Sequence, residues 1–195
     1  TDKKHLVVYD DEGGGWAGRF IWILDEIGHN NYSYLNGGLA AWKGEDYELE
    51  SGAPNSVSKS SISPSSSGNH TISREALLNK LGDSSIAIWD ARSAKEFSGQ
   101  QLNASRGGHI PGATNFNWTD AMDQDNHLRL RPLETLRAEL SELGITSDKT
   151  LITHCQTHHR SGLSYLIAKL LGFEKVLAYA GSWGEWGNRD DTPIE

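Results

Sequence analysis

The chain has 195 residues, 36% of them hydrophobic, which is enough for one large domain or for one and a half domains of ordinary size. Its formal net charge of −8 argues against a nucleic-acid partner, because phosphate contacts need clustered Lys and Arg side chains. Its apolar runs are far shorter than the ~20 residues that cross a bilayer, so we expect no membrane partner either.

The first predicted elements follow almost directly from the start of the chain. Residues 5–9, HLVVY, predict a strand, and a glycine-rich loop then leads into an amphipathic helix, a short strand and a turn with an aromatic segment. The sequence opens without an initiator Met and almost on a strand, which indicates a truncated start.

The same order of elements returns near the end of the chain as an internal repeat. Residues 150–154, TLITH, match residues 5–9 as an apolar strand, and Asp10 then occupies the place of Cys155. Without a thiol or a histidine, the first loop cannot run the same covalent chemistry as the second. After a shift of one residue, four positions have the same spacing in both copies: Ile23, Gly28, Gly37 and Trp42, and Ile167, Gly172, Gly181 and Trp186.

A segment rich in Ser, Pro and Gly separates the two copies. Residues 51–70, SGAPNSVSKSSISPSSSGNH, contain few apolar side chains and are typical of a linker. A second folded unit is expected to begin near Thr71, where Ser73 is placed to cap a short helix.

Strands and helices alternate in this second unit. Residues 84–93, SSIAIWDARS, predict a buried strand, and residues 107–113 predict a turn around Pro111 that leads into a further strand. Residues 133–143 predict a helix that ends at Gly144. Its apolar face is expected to consist of Leu133, Leu136, Leu140 and Leu143. This alternation predicts an α/β fold in which helices cover both faces of a parallel sheet.

The only cysteine lies where the strand at 150–154 gives way to a helical pattern. A strand-to-helix loop presents free amides and the positive end of a helix dipole, which favour an anion or a thiolate. His158, His159 and Arg160 follow closely, and such neighbours lower the pKa of a cysteine from about 8.5 into the ~3.5–7.5 range of reactive thiols. The pattern therefore predicts a nucleophilic Cys155 that acts on an anion. A single thiol also excludes an internal disulfide and fits a reducing compartment, so we expect a cytoplasmic protein.

Other interpretations of this loop were weighed against the nucleophile. Most single cysteines are inert packing groups, but a buried thiol has no need of the polar run 156–159 followed by an arginine. A metal site is disfavoured because adjacent positions on one tight loop cannot all point inward. Arg160 is expected to bind the anion or to tether the loop to an acidic residue such as Asp90. Arg92 and His109 are expected to be structural.

Four segments, in this order, resemble the rhodanese (thiosulfate sulfurtransferase) family: WDARSAKEF at 89–97, GGHIPGA at 107–113, HCQTHHRSG at 154–162 and YAGSWGEW at 179–186. In particular they are similar to two-domain bacterial rhodaneses whose active loop reads CQTHHR. The resemblance implies a rhodanese-like three-layer α/β fold, with a parallel sheet between helices, in tandem domains. It implies that residues 1–50 are the C-terminal half of an inactive domain, 51–70 a linker and 71–195 the catalytic domain.

The resemblance also implies a thiosulfate:cyanide sulfurtransferase. The Cys155 thiolate would take the outer sulfur of thiosulfate as a persulfide and pass it to cyanide or another thiophilic acceptor, with no metal or organic cofactor. Glu96 stands where some two-domain relatives place a basic substrate-binding residue. The residues expected to bind the substrate are Gln156, Thr157, His158, His159, Arg160 and Trp183.

Three other functions remain alternatives. Cysteine phosphatases and arsenate reductases of similar fold have five residues between Cys and Arg, whereas only four, 156–159, intervene here, which suits a single sulfur better than a phosphate. The 3-mercaptopyruvate sulfurtransferases have a loop of the CGSGVT type, so the charged loop favours thiosulfate. The non-catalytic alternative is a persulfide carrier that delivers sulfur to a protein partner.

Overall fold

The computed structural model describes residues 4–53, 56 and 70–195. The predicted linker at 51–70 lies for the most part outside these described residues. We call residues 4–53 the first unit and residues 70–195 the second unit. In these described parts of the chain, no helix is long and apolar enough to cross a membrane.

The helices and strands alternate along both units. The first unit contains β1 (Leu6–Val8), α1 (Gly15–Glu26), β2 (Tyr32–Tyr34) and α2 (Gly38–Gly44). The second unit begins with α3 (Arg74–Leu78), β3 (Ile86–Asp90), α4 (Ala94–Phe97) and β4 (Ala113–Asn115). A 3₁₀ helix at Trp118–Ala121 leads into a hairpin of β5 (Met122–Asp123) and β6 (Arg129–Leu130). The chain continues with α5 (Leu133–Glu142), β7 (Thr150–His154), α6 (Arg160–Leu170), β8 (Val176–Ala178) and α7 (Ser182–Trp186).

Four parallel strands form the main sheet of the second unit, in the order β4-β3-β7-β8. The central strands β3 and β7 read IAIWD and TLITH and are buried along most of their length, as expected for strands covered on both faces. One face packs on α5 and α6 through Trp89 and Leu151, and the other packs on α3 and α7 through Ile88 and Ile152. This arrangement confirms the predicted α/β fold class.

The local signals at the helix ends agree with the structure, with one exception. The side chain of Ser73 accepts a backbone N–H three residues later and caps α3, as predicted. Helix α5 ends before Gly144, whose φ of 79° is left-handed. Leu136 and Leu140 are buried, but Leu143 is 42% exposed, so the expectation that it belongs to the apolar face is wrong. Leu143 lies just past the last helical residue, where the chain turns away from the sheet.

The two copies of the internal repeat have the same local geometry. Strand β1 pairs in parallel with β2 across α1, just as β7 pairs in parallel with β8 across α6. Each of these helices is followed by a left-handed glycine, Gly28 with φ 75° and Gly172 with φ 82°. The first residue of the next helix also adopts the same unusual φ of 53° in both copies, at Gly38 and at Ser182.

The first unit packs on the second through a close crossing of α1 and α6. A Cβ atom placed on Gly18 would lie 2.2 Å from the carbonyl oxygen of Gly162, so the two backbones are in direct contact. Farther along, the buried carboxylate of Asp25 accepts hydrogen bonds from the hydroxyl groups of Tyr32 and Tyr165, both at 2.7 Å. The crossing brings the N-terminal ends of both helices, and the loops before them, close together.

Candidate active site

Cys155 follows directly after β7 and lies in the loop that leads into α6, as predicted. Its side chain belongs to a residue that is only 1% exposed. Burial of this kind is compatible with an inert thiol, so the case for a nucleophile depends on what surrounds it. The loop of residues 155–160, which we call the active loop, provides that case.

The N-terminus of α7 anchors the start of the active loop. The backbone N–H of Trp183 donates to the carbonyl oxygen of Cys155 at 3.0 Å, and the N–H of Gly184 donates to that of Gln156 at 2.9 Å. The first N–H groups of a helix have no acceptor within the helix, so these two bonds satisfy both elements. Because peptide bonds are trans, the N–H of each anchored peptide points away from its carbonyl and from α7.

The backbone amides of the active loop after Cys155 are left available: four precede α6, and that of Arg160 is the first of the helix. Among the described residues, no acceptor takes the N–H groups of Gln156, Thr157, His158 or His159. They lie immediately before the N-terminus of α6, where the helix dipole adds positive potential. Loops of this kind bind anions.

The corresponding loop of the first unit holds an anion of its own. The carboxylate of Asp10, at the position equivalent to Cys155, accepts the N–H groups of Gly14 at 2.8 Å, Ala17 at 2.9 Å and Glu12 at 3.2 Å. The carbonyl oxygen of Asp10 accepts the N–H of Leu39 at 2.8 Å, which matches the anchor on Cys155.

Arg160 forms a bidentate ion pair with Glu96, with N–O distances of 2.7 and 2.8 Å. Arg160 therefore tethers the loop to an acidic residue, as expected, but the partner is Glu96 and the suggestion of Asp90 is wrong. Asp90 is bound instead by Arg92, two residues along the chain, at 2.6 Å. Ser93 also binds Glu96 in the capping box of α4, which fixes the carboxylate below the loop.

The pair of Arg160 and Glu96 is reflected in their pKa values. Burial acts to raise the pKa of Glu96, but hydrogen bonds from Arg160 and from Ser93 lower it to about 2. Burial acts to lower the pKa of Arg160, while the Glu96 carboxylate and the charge of Cys155 raise it. Arg160 is thus a permanent cation whose charge is largely balanced by Glu96.

His158 does not fit the expected role of a cation for the substrate. It is fully buried, its Nδ1 lies 2.8 Å from the Ser161 hydroxyl, and its ring meets Trp22 of the first unit edge-on at 4.7 Å. Burial, together with the charge of Arg19 and that of His154, lowers the pKa of His158 to about 3. The ring is therefore neutral near pH 7 and adds no positive charge to the loop.

The other two histidines near the thiol also have partners of their own. His159 is paired with Glu12 of the first unit, and its ring lies 4.3 Å from that of Trp16. His154 is buried 3.6 Å from Asp90, and burial lowers its pKa. In the described part of the chain, no group of three His, Cys, Asp or Glu side chains could hold a metal ion.

The remaining predicted site residues lie around the active loop. Gln156 donates its side-chain amide to the carbonyl of Asn103 at 2.8 Å, and Thr157 is exposed at the loop surface. Trp183 is buried with the Arg92 guanidinium 4.4 Å above its ring, so its contact with the loop is made by its backbone N–H. The structure thus brings Trp183 to the loop through its main chain.

Sequence reasoning missed several residues that contact the loop, and three of them are charged. Glu96 was noted only as a departure from relatives, although the pattern Ser93-x-x-Glu96 signals a capping box and a fixed carboxylate. Glu12 and Arg19 reach the active loop from the first unit, more than 130 positions earlier in the chain. No local pattern signals a contact over that distance.

Comparisons with known proteins identify the family of the chain. A model of the rhodanese-like domain family matches residues 1–45 and 73–189. Over 189 residues the chain is 58% identical to a thiosulfate sulfurtransferase of Azotobacter vinelandii and 52% identical to one of Pseudomonas aeruginosa. Each alignment covers 97% of this chain and 69% of the relative.

A solved structure gives the same fold at low sequence identity. The anaerobic ergothioneine biosynthesis enzyme from Chlorobium limicola, in complex with trimethyl histidine, matches with a TM-score of 0.85 and 22% identity. The match covers 100% of this chain, which spans about half of that enzyme's chain, 52%.

Proposed function

The chain belongs to the rhodanese-like domain family, and on this premise we propose that it moves the sulfane sulfur of thiosulfate through a persulfide on Cys155. The observation that carries the proposal is the row of four amides next to the thiol, at residues 156–159, for which the described part of the chain offers no acceptor. A persulfide anion is a ligand of the size and charge that such a loop can hold.

The reaction has two half-reactions. The Cys155 thiolate attacks the outer sulfur of thiosulfate, a new S–S bond forms, and the S–S bond of thiosulfate breaks. Sulfite leaves as a dianion with the bonding electron pair, and the persulfide keeps one negative charge. Cyanide or another thiophilic acceptor then attacks the terminal sulfur, and the S–S bond of the persulfide breaks. With cyanide the product is thiocyanate, and the Cys155 thiolate is restored.

The main chain supplies most of the stabilisation of negative charge in this proposal. The nearby side chains add little positive charge of their own, because Arg160 is ion-paired with Glu96, His158 is neutral and His159 is paired with Glu12. The amides of the active loop and the positive end of α6 are therefore the groups that face the developing charge on sulfur. Such fixed dipoles cost no reorganisation during the reaction.

A mass measurement with and without thiosulfate tests the proposal. The protein incubated with thiosulfate is expected to gain the mass of one sulfur atom, to lose it on addition of cyanide, and to release thiocyanate. Cys155→Ala is the matched control and should show neither change. No sulfur adduct on the wild-type protein would contradict the proposal.

The same assay separates the alternatives. Faster adduct formation from 3-mercaptopyruvate than from thiosulfate would move the donor to that class. A stable adduct that cyanide removes only slowly would indicate a carrier that delivers sulfur to a protein.

A further inference from the structure

The third carbonyl of the active loop is held from outside the second unit. Helix α7 anchors the carbonyls of Cys155 and Gln156. The next carbonyl, that of Thr157, accepts a hydrogen bond from the guanidinium of Arg19 at 2.7 Å. Arg19 lies on α1, so a side chain of the first unit completes the set of anchors.

The Arg19 contact fixes the direction of an amide as well as that of a carbonyl. The Thr157 carbonyl and the His158 N–H belong to one trans peptide, in which the two groups point in opposite directions. With the oxygen directed out toward Arg19, the N–H is directed back into the loop. It is one of the four amides without an acceptor among the described residues.

This peptide also lies at the least favourable backbone position of the loop. His158 has a φ of 58°, in the left-handed region that residues other than glycine rarely adopt. A conformation of this kind persists only where the surroundings hold it in place. Arg19 acts on the carbonyl side of that peptide, and Trp22, on the same helix, packs on the His158 ring.

The helix crossing gives Arg19 a defined position. Gly18 and Gly162 bring the backbones of α1 and α6 into contact, and a Cβ atom on Gly162 would lie 2.4 Å from the backbone nitrogen of Arg19. The guanidinium therefore starts from a backbone that is fixed relative to the active loop.

We propose that Arg19 is a positioning residue for sulfur transfer, which aims the His158 amide at the sulfur bound to Cys155. The inference rests on the proposed function and assigns a role in it to the first unit. In this proposal Arg19 acts through the active loop and does not contact thiosulfate. Its hydrogen bond to the Thr157 carbonyl therefore matters more for the rate than its positive charge.

Three variants test this role. Arg19→Met keeps the aliphatic stem but removes the donor, and Arg19→Lys restores a single N–H donor. Arg137→Met is the matched control, because Arg137 also donates from a helix to a backbone carbonyl, that of Leu171, at 2.8 Å, at the far end of α6. For each variant, kcat/KM for thiosulfate, its slope with ionic strength, and the melting temperature are measured.

The expected result is a loss of about tenfold in kcat/KM for Arg19→Met, since removing an oxyanion donor costs about a hundredfold or more and here the donor is only misdirected. Arg19→Lys should recover most of the rate, and the slope with ionic strength should equal that of the wild type. Arg137→Met should keep the wild-type rate at a similar change in melting temperature.

Several outcomes would overturn the inference. They are an unchanged rate in Arg19→Met, an equal loss in Arg137→Met, or a shallower slope with ionic strength in Arg19→Met, which would indicate direct capture of the anion. These outcomes presuppose an active wild-type protein. A wild type that forms no persulfide contradicts the proposed function itself, so the two failures are distinguishable.

Discussion

The two loops that follow β1 and β7 share one backbone arrangement, which we call the frame, but differ in whether a side chain of the loop accepts their amides. In the first unit, the Asp10 carboxylate takes three amides of its own loop and helix. In the second unit, Cys155 stands at the equivalent position and the amides after it have no acceptor among the described residues. Both loops are anchored in the same way by an N–H from the next helix, of Leu39 in one and Trp183 in the other.

The comparison shows that the frame binds an anion and that one side chain decides where the anion comes from. In the first loop the Asp10 carboxylate accepts these amides, so they are not available to a substrate. A thiol, which has two heavy atoms fewer and is a poor acceptor, leaves the amides of the second loop without an acceptor among the described residues, as the proposed binding of a sulfur anion requires.

The largest expected effect comes from removing the thiol. Cys155→Ala and Cys155→Ser should both lower thiocyanate production from thiosulfate and cyanide to background, because a serine hydroxyl is scarcely ionised near pH 7 and forms no persulfide. Circular dichroism should show an unchanged fold. Turnover above background in either variant would contradict this account, since the second loop would then transfer sulfur without the Cys155 thiol.

Replacement of Arg160 should have the next largest effect. Residues 10–16 of the first loop include no Lys or Arg, so Arg160→Ala makes the two loops more alike in charge. We expect a loss of about tenfold in kcat/KM for thiosulfate, because Glu96 balances most of the Arg160 charge and the guanidinium adds only part of the stabilisation that the loop amides supply. We also expect a loss of about 3 kcal/mol in the free energy of unfolding, because Glu96 becomes a buried charge without its partner.

A second substitution separates these two effects of Arg160. In the double variant Arg160→Ala, Glu96→Gln, the free energy of unfolding from urea titration should recover, since the buried charge is gone. The rate should stay low. Recovery of both would show that the arginine acts only on the fold, whereas Arg160→Lys should rescue the rate in part, because an ammonium lacks the planar donor fork.

Asp10→Ala should destabilise the first unit. It removes the acceptor of three amides. A hydrogen bond to a charged group contributes on the order of 1.5–3 kcal/mol, but Asp10 is only partly buried and water can replace it as an acceptor, so we expect a total loss of about 3 kcal/mol. Asp10→Asn, which keeps one acceptor oxygen, should lose about half as much. Urea titration of both variants measures this, and an unchanged midpoint in Asp10→Ala would contradict the role of the carboxylate.

Cys155→Asp gives the second loop the content of the first. We expect no sulfur transfer, but a free energy of unfolding about 1–2 kcal/mol higher than that of Cys155→Ala, since the new carboxylate can accept the free amides. Thermal denaturation of the two variants side by side checks this. An aspartate variant less stable than the alanine variant would mean that the frames of the two loops differ.

The last expected effect, which has no consequence near pH 7, is a loss of folding stability at low pH. The pKa of Glu96 is about 2 in the folded protein, below the 4.5 of an ordinary glutamate, so its contribution to stability is complete above pH 4.5 and is lost as the pH falls toward 2. At about 1.4 kcal/mol per pKa unit, we expect a loss of about 3 kcal/mol over that interval. Glu96→Gln should have a flatter profile, and an equal slope in both proteins would contradict the assignment.

His158 adds a second acid-sensitive contribution in the same direction. Its pKa is about 3 when folded and 6.5 when exposed, so unfolding takes up a proton and stability falls as the pH drops below 6.5. Since His158 stays neutral over the working range, its protonation should not strengthen thiosulfate binding in weak acid.

Local patterns were sufficient to predict the frame of the second unit. The apolar runs that became β3 and β7, the serine that caps α3 and the glycine after α5 are all signals within a few residues of the element they define. The strand-to-helix position of Cys155 followed from the same patterns. The sulfurtransferase class and the rhodanese-like family are likewise confirmed by the relatives.

The contacts between distant segments were not predictable in this way. The β5–β6 hairpin has strands of two residues each, too short to give an alternating pattern. Arg160 was assigned the wrong partner because Asp90 and Glu96 are both near the loop, and only the geometry shows that Arg92 already occupies Asp90. The burial of His158 depends on Trp22, which belongs to the other unit.

The glycine crossing of α1 and α6 also limits how members of this family can be recombined. A methyl group at Gly18 would lie 2.2 Å from a main-chain oxygen, so any larger residue there forces the helices apart. A hybrid that joins the first unit of another member to residues 70–195 will therefore retain a working loop only if it keeps glycine at both crossing positions. With a bulkier residue, the two helices are displaced at the crossing, and the Thr157 carbonyl is then beyond the reach of Arg19.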